Sequence, residues 1–267
     1  MNTRVSAPRS LLAIPYSLFP IPYPPAVKIK SVEFAGAIGQ PGQAAPESTR
    51  GMPQVAFSGR SNVGKSSLIN RLLGRTRTAV ARVSATPGKT QEINFYHVRS
   101  DLGDFFLVDL PGYGFARAPE PARRKWEAVI HSYLSTSKDL SGVVQLIDLR
   151  TGPTPDDLRS VDYLGELGLP VLFAFTKSDK LAAMKRKEAF TATVRALEIE
   201  PDQAIAFSSL KGDGREELLD TLGALLFPAA GAEEGTPGEE EGAADDGSDN
   251  VDAALSSDED DTEPEPS

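Results

Sequence analysis

Eight consecutive residues, Gly59-Arg60-Ser61-Asn62-Val63-Gly64-Lys65-Ser66, set two glycines, a lysine and a hydroxyl in the spacing G-x-x-x-x-G-K-[ST]. That spacing suits a polyphosphate. Glycines let the backbone curl so that successive N–H groups, with the N-terminus of a following helix, face phosphate oxygens. Lys65 would neutralise the β- and γ-phosphate oxygens, and the Ser66 hydroxyl would ligate Mg²⁺. The bland alternative is a glycine turn. It is weakened by context, because Val55-Ala56-Phe57 reads as a strand before the loop and Lys65 to Leu73 as a helix after it, which is the setting the motif requires.

Two further groups follow apolar runs. Asp109-Leu110-Pro111-Gly112 comes directly after Phe105 to Val108, placing a carboxylate at a strand's C-terminal end, where open α/β sheets bind ligands. Beside a phosphate loop it offers a carboxylate to the magnesium shell and a glycine N–H to a γ-phosphate; taken alone it is an ordinary turn. Thr176-Lys177-Ser178-Asp179 follows Val171 to Phe175. An aspartate there can accept from the N1 and 2-amino donors of guanine, a pair that adenine lacks, and a buried carboxylate left unpaired discriminates strongly. Its alternative is a helix cap. Ser208-Ser209-Leu210, after a last short strand, could complete a base pocket.

The elements that must position these groups alternate. After the first strand and helix, Ile93 to Val98 and Phe105 to Val108 are joined by the short link Arg99 to Asp104, which predicts an antiparallel hairpin. Trp126, Val129, Ile130 and Tyr133 recur at helical spacing, and Val143 to Ile147 reads as a fully apolar strand. Thr154-Pro155-Asp156-Asp157 opens a helix with a cap, a proline at the first position and an acid at the third. A strand Val171 to Phe175, a helix Leu181 to Leu197, a strand Ala204 to Phe207 and a helix opened by Asp213 complete the pattern, and Pro228 closes it. Alternation of this kind predicts an α/β fold with a mostly parallel six-stranded sheet, one antiparallel edge strand and helices on both faces.

Of the 267 residues, 28 are basic and 38 acidic, a net charge of −10. The average conceals two halves: residues 229–267 carry 15 acids and no Lys or Arg, leaving +5 on residues 1–228. We therefore expect one folded domain over 28–228, a disordered acidic tail over 229–267 and a disordered extension over 1–27. The tail reads as plain solvation or as a lure or brake acting on a basic face. The first residues also admit a signal peptide, opposed by five prolines between Pro15 and Pro25, or a transit peptide; composition favours the extension or a start codon set too far upstream. Zero cysteines exclude disulfide scaffolds, Cys-ligated zinc, iron–sulfur clusters and thiol catalysis, and two histidines make a multi-histidine metal site improbable. No apolar run of about 18 residues is present. A cytoplasmic monomer with no membrane or DNA partner is expected.

Together these residues resemble the translation-factor-like P-loop GTPases and, within them, the EngB family, also called YihA or YsxC. The resemblance rests on GRSNVGKSSLIN at 59–70, TPGKTQEINFY at 86–96, VDLPGYGFA at 108–116, FTKSD at 175–179 and FSSLKGDG at 207–214, and covers about Lys30 to Phe227. It implies a GTPase of late large-subunit ribosome assembly, whose loss disturbs cell division and septation. By position, Gly59, Arg60, Ser61, Asn62, Val63, Gly64, Lys65 and Ser66 would hold the phosphates of GTP or GDP. Gly88, Lys89, Thr90 and Gln91 would form the first switch, and Asp109, Leu110, Pro111 and Gly112 the second. Thr176, Lys177, Ser178 and Asp179, with Phe207, Ser208 and Ser209, would hold guanine. Lys65, Thr90, Asp109, Gly112 and Asn62 would carry catalysis, and Ser66 and Thr90 the metal. The residues alone read Thr86 to Thr90 as a turn, and Thr86 is the other candidate for the switch threonine.

Where many GTPases place a water-orienting glutamine after D-x-x-G, this chain has Tyr113; slow intrinsic hydrolysis is expected. Related GTPases with an asparagine at the place of Asn62 use it to hold K⁺, so K⁺ is a candidate third cofactor. Basic groups stand at Arg71, Arg75, Arg77 and Arg82, at Arg123-Arg124-Lys125 and at Lys185-Arg186-Lys187. They are either solvated surface or a contact to ribosomal RNA on the large-subunit precursor. Two other functions compete: a GTP-gated binding module for division proteins with incidental hydrolysis, and a small-metabolite kinase, which the guanine-type TKSD disfavours.

Overall fold

A computed structural model describes residues 27–75, 80–81, 92–114 and 120–228. Gly88, Lys89, Thr90 and Gln91, as well as Thr86, Arg77, Arg82 and both chain ends, lie outside the described residues. Among those described, β1 (Ile29–Ile38), β2 (Gln54–Gly59), α1 (Lys65–Leu72), β3 (Ile93–Ser100), β4 (Asp104–Asp109) and α2 (Glu120–Thr136) come first. They are followed by β5 (Leu140–Asp148), α3 (Pro155–Glu166), β6 (Val171–Thr176), α4 (Ala183–Leu197), β7 (Ala204–Ala206) and α5 (Arg215–Leu226). The strands form one sheet in the order β1-β3-β4-β2-β5-β6-β7.

The sheet has seven strands where the sequence pattern predicted six. The additional one is β1, and it takes the edge, so the antiparallel strand β3 lies one place inside it, paired antiparallel to both β1 and β4. β1 escapes periodicity for a physical reason. Its pairing shifts register twice, between Ile29 and Ser31 and between Phe34 and Gly36, and Lys30 and Glu33 interrupt its apolar positions. Charges and bulges of this kind blunt exposed edges.

The central strands are parallel and covered on both faces, which is why they read as unbroken apolar runs. Val55 and Phe57 of β2 face Leu68, Ile69 and Leu72 of α1 and Leu218, Leu219 and Leu222 of α5. Ala56 points to the opposite layer, built from Val129 of α2, Val161 and Leu164 of α3 and Leu197 of α4. Fully burying each such side chain stabilises the fold by roughly 1.5–3 kcal/mol. Two sequence expectations need amendment. Gly214, not Asp213, caps α5: its φ of +77° suits glycine, and a Cβ there would sit 2.5 Å from the Ala206 carbonyl oxygen. The run Val143 to Ile147 is buried but not wholly apolar, because Gln145 is fully buried within it.

The twist and parallel order bring the C-terminal ends of β2, β4, β5 and β6 to one edge of the sheet. The motif residues Asp109 and Thr176 end strands at that edge, Lys65 and Ser66 open the helix that follows β2, and Asn62, Gly112, Lys177 and Asp179 lie on loops leaving it.

Candidate nucleotide site

The loop from Gly59 to Gly64 is shaped by two steric demands. A Cβ at Gly59 would lie 3.0 Å from both Leu146 Cβ and Val63 Cγ1, so the loop can leave β2 only with glycine there. Gly64, at φ +110°, turns the chain into α1. Asn62 is itself left-handed at φ +63°, a conformation asparagine tolerates better than most residues. Lys65 begins α1 and is buried, and its ammonium is ion-paired with Asp109, which is also buried. The sequence thus places the lysine of one motif and the carboxylate of another in direct contact across neighbouring strands.

Thr176 and Lys177 reach the same loop from the end of β6. The Thr176 hydroxyl donates to the Val63 carbonyl at 2.7 Å. Lys177, left-handed at φ +60°, extends its Nζ to the Asn62 carbonyl at 2.7 Å and to Asp148 Oδ2 at 2.9 Å. Asp179 lies beyond, its side chain 7% exposed, with Oδ1 accepting a 2.9 Å bond from the buried Ser208 hydroxyl. Ser178 N–H donates to the Phe207 carbonyl at 3.2 Å, fastening the two base-side loops together. The buried Ser178 hydroxyl has no partner. The loops after β6 and β7 thus hold one oriented carboxylate, and Lys177 ties the first of them to the loop of 59–64.

Asp148 was missed from sequence. Burial opposes its charge, but bonds from Arg150 and Lys177 outweigh that and lower its pKa to about 2. It ends β5 as Asp109 ends β4, and the Asp-x-Arg spacing to Arg150, which grips both of its oxygens, was the available signal. Arg71, read from sequence as either solvated surface or an RNA contact, donates to the Ser209 and Leu210 carbonyls, each at 2.6 Å. It staples the C-terminal end of α1 to the base-side loop. Arg75, Lys125, Lys185 and Lys187 are exposed, and Arg124 pairs with Glu120.

Gly112 packs flat on the phosphate loop, where a Cβ would meet Ser61 N and Cα at 3.2 Å. Tyr113 continues this contact by its backbone: its carbonyl accepts from Ser61 N–H at 2.9 Å and its N–H points to the Gly59 carbonyl at 3.4 Å. Its phenol runs to the far side of the sheet, donating to Asp157 Oδ1 at 2.7 Å and accepting from Gln145 Nε2 at 2.6 Å. Asp157 Oδ2 closes the predicted capping box on Thr154 N–H at 2.8 Å. Burial, followed by the Asp157 charge, raises the phenol's pKa far above its ordinary value. Pulling the phenol away would leave a carboxylate oxygen and an amide without this partner; each unsatisfied buried group costs about 1–3 kcal/mol, more when charged. One new hydrogen bond to a charged phosphate returns about 1.5–3 kcal/mol.

The donor set suits Mg²⁺, which takes a few oxygen ligands and keeps several waters. Ser66 supplies a partly buried hydroxyl and Asp109 a buried carboxylate, and among the described residues no cluster of three His, Cys, Asp or Glu offers a different metal site. No helix among the described residues is long and apolar enough to cross a membrane.

Comparison with known proteins agrees with this geometry. A family model described as 50S ribosome-binding GTPase matches residues 54–177. A Gemmatimonas aurantiaca protein carrying the name "Probable GTP-binding protein EngB" is 43% identical over 198 residues, spanning 74% of this chain and 94% of its own. The chain belongs to the EngB family. A second EngB-family relative, from Geobacter metallireducens, is 40% identical over 208 residues, 78% of this chain and 97% of its own. The crystal structure of an engB GTP-binding protein superposes with a TM-score of 0.52 at 26% identity, covering 65% of this chain and 98% of that one. The EngB-family sheet described above is thus a P-loop GTPase G domain.

Proposed function

We propose that this EngB-family GTPase binds GTP and GDP with Mg²⁺ at the loops of 59–66, 109–112, 176–179 and 207–209 and hydrolyses GTP as a switch for a ribosomal partner. The single observation that carries this reading is the Lys177 Nζ bond to the Asn62 carbonyl, which ties the loop holding Asp179, oriented by Ser208, to the loop of 59–66. In this reading the carboxylate accepts the paired N–H donors of guanine, and ATP is rejected because it cannot satisfy them. With nucleotide bound, Lys65, paired with Asp109 in its absence, would hold phosphate oxygens, and Asp109 would be free to hold waters of the metal's shell. Mg²⁺ supplies the positive charge that neutralises the β- and γ-phosphates. Ser66 and Thr90 would hold the metal, and Gly88, Lys89, Thr90 and Gln91 would make up the first switch.

Tyr113 cannot orient the attacking water, because its hydroxyl is engaged by Asp157 and Gln145. Slow intrinsic turnover follows, as does reliance on outside charge. Asn62 beside the phosphates is the group we assign to K⁺. Equal hydrolysis rates in K⁺ and Na⁺ buffers, or full K⁺ stimulation in Asn62→Ala, would remove that assignment.

The partner we propose is the large ribosomal subunit precursor, reached in the cytoplasm by a monomer, with normal cell division depending on that assembly step. Support comes from the ribosome-binding description of the matching family model and from the exposed lysines Lys125, Lys185 and Lys187, which suit a phosphate backbone. Co-sedimentation with large subunits tests it. Association that depends on GTP and weakens steeply with salt is expected; absence of association with either nucleotide would favour a division partner.

A further inference from the structure

Tyr113 occupies the position after D-x-x-G yet faces away from the phosphates, and it is fixed from two directions. Its backbone bridges Arg60 in parallel-strand fashion, so the β2–β4 pairing resumes beyond Leu110. Its hydroxyl enters a pocket between two polar side chains that are themselves buried, Asp157 at 2% exposure and Gln145 at 0%. Ser160 reaches the other end of Gln145, 3.4 Å from its Oε1. Nothing in the phosphate loop explains a glutamine inside β5 or a carboxylate committed to both a helix cap and a phenol. Both are explained if their task is to hold Tyr113.

We propose that Tyr113 is a positioning residue for γ-phosphate recognition: Asp157 and Gln145 hold its phenol so that the Gly112 backbone stays against the phosphate loop with either nucleotide bound. The second switch then meets the γ-phosphate with an N–H already in place. Release of the phenol would leave two buried groups without this partner, a loss at least comparable to the single contact a γ-phosphate could offer in exchange. Preset donors also spare the ordering cost that a loose loop would meet on binding. The proposal rests on the nucleotide reading above, because Gly112 matters only if a γ-phosphate arrives there.

The test is Tyr113→Phe, which keeps the ring and removes the hydroxyl. With Mg²⁺ present, calorimetry should show affinity for a non-hydrolysable GTP analogue falling about tenfold, the scale of one hydrogen bond to a charged group, while GDP affinity changes less than about twofold because GDP lacks the group that Gly112 meets. Equal losses for both nucleotides would reduce Tyr113 to a packing role and overturn the proposal, as would no loss for either. Hydrogen exchange on the unaltered protein gives an independent reading that does not depend on the variant folding. The Leu110 and Tyr113 amides, which point to the Phe57 and Gly59 carbonyls, should be equally protected with GDP and with the analogue, and loss of protection at either amide with either nucleotide would overturn the proposal. If the unaltered protein bound neither nucleotide, the nucleotide reading itself would fail first.

Discussion

The Ser208 hydroxyl donates a 2.9 Å hydrogen bond to Asp179 Oδ1, joining two loops that are 29 residues apart in sequence. The same hydroxyl accepts from Lys211 N–H at 3.0 Å, so the serine is fixed before it fixes the carboxylate. In the proposed nucleotide reading, this relay would set the direction in which Asp179 accepts from a base. In that reading, base recognition would be separable from phosphate binding.

Ser208→Ala should weaken GDP binding roughly five- to tenfold by freeing the carboxylate to rotate, the usual scale of one hydrogen bond. Calorimetry at constant Mg²⁺ measures this, and inorganic pyrophosphate affinity should be unchanged because the phosphate loop is untouched.

Asp179→Asn replaces one acceptor with a donor. Guanine then meets an N–H opposite its own amino group, while xanthine, with a carbonyl at that place, gains a partner. GDP affinity should fall by about a hundredfold or more, as expected for a mismatched buried polar pair, and xanthosine diphosphate should become the better ligand in competition binding.

How much of this was legible in the sequence depends on whether the signal was local. The phosphate loop, the D-x-x-G turn and the TKSD turn each consist of contiguous residues after an apolar strand, and the structure brings them to one sheet edge. The capping box from Thr154 to Asp157 was readable for the same reason. Arg71 and the Asp157–Gln145 pocket were not, because their roles depend on partners 32 to 139 residues distant; Asp148 left a local trace in Arg150, but its link to Lys177 spans 29 residues. Gln145 did leave a trace, as a polar residue within an otherwise apolar run. β1 left almost none, since its two register shifts erase the alternation that marks a strand.

Lys65 and Asp109 are a buried ion pair, so removing one partner strands the other charge. Lys65→Ala should destabilise the nucleotide-free protein by about 3–5 kcal/mol in addition to abolishing tight nucleotide binding. Urea denaturation without nucleotide checks the first effect. Restoring neutrality with Asp109→Asn in the same chain should recover much of the stability but none of the binding.

Asp148 gives the protein a defined acid sensitivity. Its folded pKa of about 2 lies below the ordinary value of 3.8, so it stabilises the fold above the unfolded pKa and that stabilisation is lost as pH falls through the folded value. Stability measured between pH 4 and pH 2 should decline more steeply in the unaltered protein than in Asp148→Asn, which has no proton to take up. The same variant removes a partner from Lys177 and should loosen GDP above pH 5.

The central claim is that the two ends of the site act on one ligand, a guanine nucleotide. The most direct measurement is titration calorimetry with GDP, GTP and ATP in Mg²⁺ and K⁺, on the unaltered protein and on Asp179→Ala. Binding of GDP and GTP but not ATP, lost on removal of the carboxylate, is the expected result. ATP bound as tightly as GTP, or GDP bound equally well by Asp179→Ala, would contradict it.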